Sequence, residues 1–240
     1  MSLKSYDPGK PLIFIHLPKT AGTSIRAFIK EWYGQRLLPH YYDEVNSKMP
    51  KRYDLSLLSC SAKVTTGVMV FGHFNSLRGF GIRDYYPEVD QFVTLMRDPF
   101  EAAVSGYFYA RKVGGSWSDQ SRVPSGELRD FISSFRAGAL NHFPVEMSRS
   151  NYKEVIESMF VQVGVTSRLD LFLRSLALKL GFEGVKTIAP QLNVTVRESS
   201  LPEDLRDIYR ENNQLLYEVY EYVLALSSFE ALDGEDNSDG

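Results

Sequence analysis

An α/β fold, a central and mostly parallel sheet flanked by helices, follows from three features of the sequence. Short apolar runs of strand length stop abruptly at polar loops, and apolar residues at helical spacing then follow at once. The composition, 43% hydrophobic and 24% charged over 240 residues, is enough to bury one core. "PLIFIHL" (11–17) is the first strand, and "TSIRAFIKEWYG" (23–34) is a helix that ends at Gly34. "VMVFGHF" (68–74) and "QFVTLMR" (91–97) are two further buried strands, and "PFEAAVSGYFYARK" (99–112) is an amphipathic helix. "MFVQVGVTSRL" (159–169) is a fourth strand running into another helix. In such a sheet, ligands sit at the carboxyl ends of the strands.

The spacing predicts one domain over 11–228, preceded by a flexible stretch at 1–10 and followed by an acidic, disordered tail at 229–240. The net charge of −3 is concentrated in that tail. Its last eleven residues hold five carboxylates and no base, which leaves 27 basic and 25 acidic side chains elsewhere. This is not the profile of a nucleic-acid binder. Cys60 is the single cysteine, so an internal disulfide and a cysteine-based zinc site are excluded. With no apolar run of spanning length and no signal peptide before the first strand, a soluble, cytoplasmic protein is expected. Residues 114–126, "GGSWSDQSRVPSG", read as a mobile loop.

The first strand stops at "LPKTAGTS" (17–24), a polar loop at the start of a helix. Unpaired N–H groups and the helix dipole favour an anion there. Gly22 allows close approach, Thr20, Thr23 and Ser24 add hydroxyl donors, and Lys19 adds a positive charge. The loop is not a Walker A motif, because Lys19 precedes the only glycine instead of following it. By itself it reads either as a phosphate loop or as an ordinary strand-to-helix turn. At the later "RDPFEAAVSGYFY", Asp98 caps the helix, Pro99 occupies its first turn and Glu101 completes a capping box. Arg97 at the strand end and Ser105 two turns on then form a second anion site, unless Arg97 merely pairs with a carboxylate.

These two stretches together resemble the 5′-phosphosulfate loop and the 3′-phosphate motif of sulfotransferases that use 3′-phosphoadenosine-5′-phosphosulfate (PAPS). The nearest likeness is the carbohydrate branch that includes heparan sulfate 2-O-sulfotransferase, over roughly residues 11 to 225. The resemblance implies a P-loop-kinase-like sulfotransferase fold, with PAPS as donor, adenosine 3′,5′-bisphosphate (PAP) as product and no metal. Lys19, Thr20, Ala21, Gly22, Thr23 and Ser24 would hold the 5′-phosphosulfate, and Arg97 and Ser105 the 3′-phosphate. Arg168 in "TSRLD" and Asn193 in "APQLNVT" would approach the adenine or the 3′-phosphate. Lys19 would also stabilise charge on the leaving group. One departure from the family is Ala102, which stands where a basic residue is common.

"VMVFGHFNSL" sets His73 just beyond a strand and resembles the family's Gly-His segment, which implies a catalytic base. Read alone, a histidine there is more often structural. His16 reads as structural, while His40 and His142 lie in no recognised motif. Arg78 and Arg83 read as solvated surface residues or as contacts to an acidic acceptor, and Trp117 as a stacking face for a sugar or as nothing. The implied partner is a hydroxyl-bearing acceptor, glycan or small molecule. Two rival classes stay open, a nucleotide-dependent kinase and a non-catalytic nucleotide-binding module. The first needs Walker A and an acidic magnesium ligand, and neither is evident in the sequence.

Overall fold

The computed structural model describes residues 2–56, 67–182 and 203–235, leaving aside the side chains of 203 and 228–235. Five strands, β1 (Leu12–His16), β2 (Leu37–His40), β3 (Met69–Gly72), β4 (Phe92–Met96) and β5 (Phe160–Val165), form one wholly parallel sheet in the order β2-β3-β1-β4-β5. Eight α-helices accompany them among the described residues. They are α1 (Gly22–Tyr33), α2 (Ile82–Tyr85), α3 (Pro99–Val113), α4 (Leu128–Ser134), α5 (Tyr152–Met159), α6 (Leu169–Lys179), α7 (Glu203–Asn212) and α8 (Gln214–Glu235). The expected α/β class is therefore what the chain adopts.

Alternation along the strands divides the core between the two faces of the sheet. Leu12, Phe14, Met69, Phe71, Val93 and Leu95 pack on one face against Ile25, Phe28, Ile29 and Trp32 of α1 and Phe172, Leu173 and Leu176 of α6. Ile13, Ile15, Val70, Phe160, Val163 and Val165 pack on the other against Val155 and Ile156 of α5 and Leu216, Val219 and Val223 of α8. A third cluster joins α3, α4 and α7 through Phe100, Val104, Ile132, Leu205 and Tyr209. Because β1 is the middle strand, with β3 on one side and β4 on the other, the chain reverses its direction of travel across the sheet there. Such a switch point opens a crevice at the strand ends.

Three expectations change. The stretch at 2–10, expected to be flexible, is fastened to the fold. The fully buried Gln91 donates to the carbonyls of Asp7, Lys10 and Pro11, and Lys4 and Lys10 flank Asp90 at 3.2 and 3.1 Å. The last helix runs on to Glu235, past the boundary expected at 228. Residues 114–126 contain two 3-10 turns and are tied to a loop after β2, since Ser118 N donates to Glu44 O at 2.9 Å. Cys60 and Asn193 lie outside the described residues.

Candidate active site at the ends of the three central strands

Lys19 and Ala21 adopt left-handed backbone, with φ of 67° and 59°, in the loop between β1 and α1. Neither residue type favours that conformation, which costs on the order of 1 kcal/mol each and marks strained loops at functional sites. Thr20, 2% exposed, helps to hold the turn by donating its Oγ1 hydrogen to Leu17 O at 2.7 Å. In this arrangement the single hydrogen of the Thr20 hydroxyl is directed at the loop's own carbonyl. Helix α1 starts at Gly22 after the N-cap residue Ala21, with no side-chain cap and no acidic residue in its first turn. The N–H groups of Gly22, Thr23 and Ser24 therefore carry no side-chain acceptor, and the positive end of the helix dipole is left uncompensated. The Lys19 ammonium lies 3.8 Å from the centre of the Tyr109 ring, and burial followed by the Arg97 charge holds it below the ordinary lysine range.

Arg97 leaves the end of β4 and turns back across the sheet, donating from Nη1 to Lys19 O at 3.4 Å. The two motifs, nearly eighty residues apart in the chain, meet here. Asp98 caps α3 by accepting from Glu101 N at 2.9 Å, with Pro99 in the first turn, as expected. The Glu101 carboxylate goes elsewhere. It accepts from Arg206 Nη2 at 3.0 Å and lies 3.6 Å from Arg97 Nη2, while Arg206 Nη1 also reaches both Asp98 oxygens at 3.0 and 2.9 Å. A guanidinium from α7 thus covers the helix end where Ala102 offers no base. Residues 97, 101 and 105 share one helical face by their spacing, and Ser105 on it is 4% exposed. Arg168 stands at the end of β5, where its Nη1 donates to Leu224 O at 3.4 Å.

His73 follows β3 and is held on several sides. Its N–H donates to His40 O at 2.9 Å, its ring stacks on that of His16 at 4.5 Å, and the Tyr41 ring meets it edge-on at 4.9 Å. Nδ1 lies 2.6 Å from the His16 carbonyl oxygen. A carbonyl can only accept, so Nδ1 carries the hydrogen and Nε2 of the neutral ring holds the lone pair. Burial lowers the His73 pKa, partly offset by the His16 carbonyl and the Glu44 charge, which keeps the ring neutral at pH 7.

His16 joins His73 to the Lys19 loop. Its ring lies between those of Phe71 and His73, and its Nδ1 pairs with Tyr41 Oη at 3.1 Å. The ring fills the space where a Gly22 side chain would be, since a Cβ there would lie 1.9 Å from His16 Cε1 and Nε2. Gly22 is therefore required by its own neighbour as well as by any ligand. All four histidines of the chain gather around this site, His142 meeting His73 edge-on at 6.1 Å and His40 stacking on Phe74 at 4.4 Å. Among the described residues no three of His, Cys, Asp and Glu converge as metal ligands, and no helix is long and apolar enough to cross a membrane.

Arg83 donates to the carbonyls of Pro144 and Pro87 and is a structural clamp. Arg78 is paired with Glu44. Tyr109, Arg206 and Glu44 carried no sequence signal, because each acts through a partner distant in the chain.

No protein-family model matches this chain, and neither does any curated protein. Solved structures similar to it include a sulfotransferase from Alicyclobacillus acidocaldarius, at 13% identity over 88% of this chain and 96% of that one, with a TM-score of 0.48. A mouse sulfotransferase, SULT7A1 complexed with PAP, is similar at 13% identity over 87% of this chain and 66% of that one, with a TM-score of 0.39.

Proposed function

We propose that this protein is a PAPS-dependent sulfotransferase that moves a sulfuryl group to the hydroxyl of a carbohydrate or other small acceptor. One observation carries the reading: the ends of β4, β1 and β3, three adjacent strands, bear Arg97, the Lys19 loop and His73 in that order. A ligand with anionic groups at two places fits the first two, and a hydroxyl to be deprotonated fits the third. The donor residues suit the anion because the first turn of α1 has no side-chain cap and Lys19 stands beside it. Lys19, Thr20, Ala21, Gly22, Thr23 and Ser24 would hold the 5′ end and Arg97 with Ser105 the 3′-phosphate. Arg168 and Asn193 would lie toward the nucleotide.

When bound, PAPS supplies the sulfuryl group. His73 Nε2 takes the acceptor's proton as the acceptor oxygen bonds to sulfur and the bond from sulfur to the bridging oxygen breaks. Lys19 stabilises the charge that grows on that leaving oxygen, an interaction stronger in the transition state than before it. The resemblance to the heparan sulfate 2-O branch supports the choice of His73. A calorimetric titration tests the donor claim. PAP should bind without metal and roughly ten- to a hundredfold better than AMP, since a charge-assisted contact is worth about 1.5–3 kcal/mol. Equal affinity for PAP and AMP, or a preference for ATP with magnesium, would overturn it.

A further inference from the structure

With the donor over β1 and β4, the side left to an acceptor of His73 is that of the ends of β3 and β2. Three loops form that side, 41–48, 73–80 and 114–123, and Glu44 ties them together. Its carboxylate accepts from Arg78 Nη1 and Nη2 at 2.9 and 3.4 Å and pairs with Arg122, while its carbonyl accepts from Ser118 N and Oγ, both at 2.9 Å. Each guanidinium also lies over an aromatic ring, Arg78 at 4.1 Å from Tyr42 and Arg122 at 5.4 Å from Trp117.

The charges on these loops balance. They hold Asp43, Glu44 and Asp119 against Lys48, Arg78 and Arg122, and the ionised form of Asp119 is favoured first by its hydrogen bonds from Ser121 and then by the charges of both arginines. An anionic acceptor needs surplus positive charge on this side, and Glu44 removes what Arg78 and Arg122 would supply by engaging both guanidinia at once. On the sulfuryl-transfer reading, we propose that Glu44 determines acceptor specificity. It closes the β2–β3 side to anionic acceptors, so that the acceptor is an uncharged hydroxyl compound.

Heparin serves as the polyanion probe, titrated at low salt with saturating PAP so that the Lys19 and Arg97 site is blocked. The wild type should bind it weakly, Glu44→Gln about tenfold more tightly, and Glu44→Gln/Arg122→Gln no better than the wild type. Asp119→Asn leaves the Glu44 contacts alone and should give a smaller gain of the same sign. It carries the test if Glu44→Gln does not fold. Wild-type affinity equal to that of the variants, or a lowered melting temperature with no gain, overturns the role of Glu44 and reduces it to a loop fastener. Failure of PAP to bind the wild type instead removes the sulfuryl-transfer reading and the acceptor claim with it.

Discussion

Acid should destabilise this protein steeply, and His40 should account for much of the loss. His40 is fully buried and neither ring nitrogen has a hydrogen-bond partner. Its surroundings are the Phe74, Tyr85 and Tyr86 rings, with the His73 charge nearby. Burial lowers its pKa to about 4, against only weak opposition from the backbone of Phe80 and Lys51, neither of which makes a full hydrogen bond to it. The folded form therefore binds its proton later than the unfolded chain does, so stability is intact above the unfolded pKa near 6.5 and falls as pH drops from there toward 4. Between pH 8 and 5 the unfolded chain gains about 1.5 pH units of protonation free energy at this site, about 2 kcal/mol, while the folded chain gains almost none. His142, lowered to about 3 chiefly by burial, contributes a similar amount, and the two together approach the lower range of domain stabilities. Urea melts at pH 8, 7, 6 and 5 measure this directly. His40→Phe keeps the stack on Phe74 and should lose about 2 kcal/mol less than the wild type over that range. Identical pH dependence in the two proteins would refute the reasoning.

Gly22→Ala puts a methyl group into the His16 ring and should cost about 1–3 kcal/mol in a urea melt as well as weakening PAP binding. His16→Ala added to it should restore part of the PAP affinity, and an unperturbed single variant would show that the ring moves aside freely. His73→Asn retains a donor for the His16 carbonyl without basicity, so it should fold and bind PAP normally while kcat falls by about 10²–10⁴ with any acceptor the wild type sulfates. A kcat near that of the wild type would move the base elsewhere.

Much of the sheet is readable because four of its strands are nearly continuous apolar runs, which is typical of buried parallel strands. β2 escaped notice for the opposite reason. It is a four-residue edge strand with Pro39 exposed in its middle, a residue that only an edge tolerates. At the site, Arg97 and His73 directly follow β4 and β3 and Lys19 comes three residues after β1, so residue type and position together carry the signal on which their proposed roles rest. Arg206 is not, because its contacts to Asp98 and Glu101 span more than a hundred residues and its own helix gives no hint of them. Glu44 fails in the same way, being defined by Arg78 and Arg122 rather than by its neighbours in the chain. Thr20 shows what spacing does not tell: a hydroxyl in a phosphate-like loop invites a ligand role, and here its hydrogen also closes the loop's own turn.

His16 shows why the boundary between structural and functional residues fails at this site. As the last residue of β1 it is part of the scaffold, since its ring packs on Phe71 of β3. The same residue fixes the His73 tautomer through its carbonyl, stacks on the His73 ring and occupies the space beside Gly22. His73 and the Lys19 loop are therefore packed on one side chain. A shift of the loop by even a few tenths of an ångström presses on a ring with neighbours on both faces, because packed interiors have little room to absorb it. On the sulfuryl-transfer reading, the stack that excludes a side chain at position 22 also holds Nε2 of His73 in a fixed relation to the helix start that receives the donor.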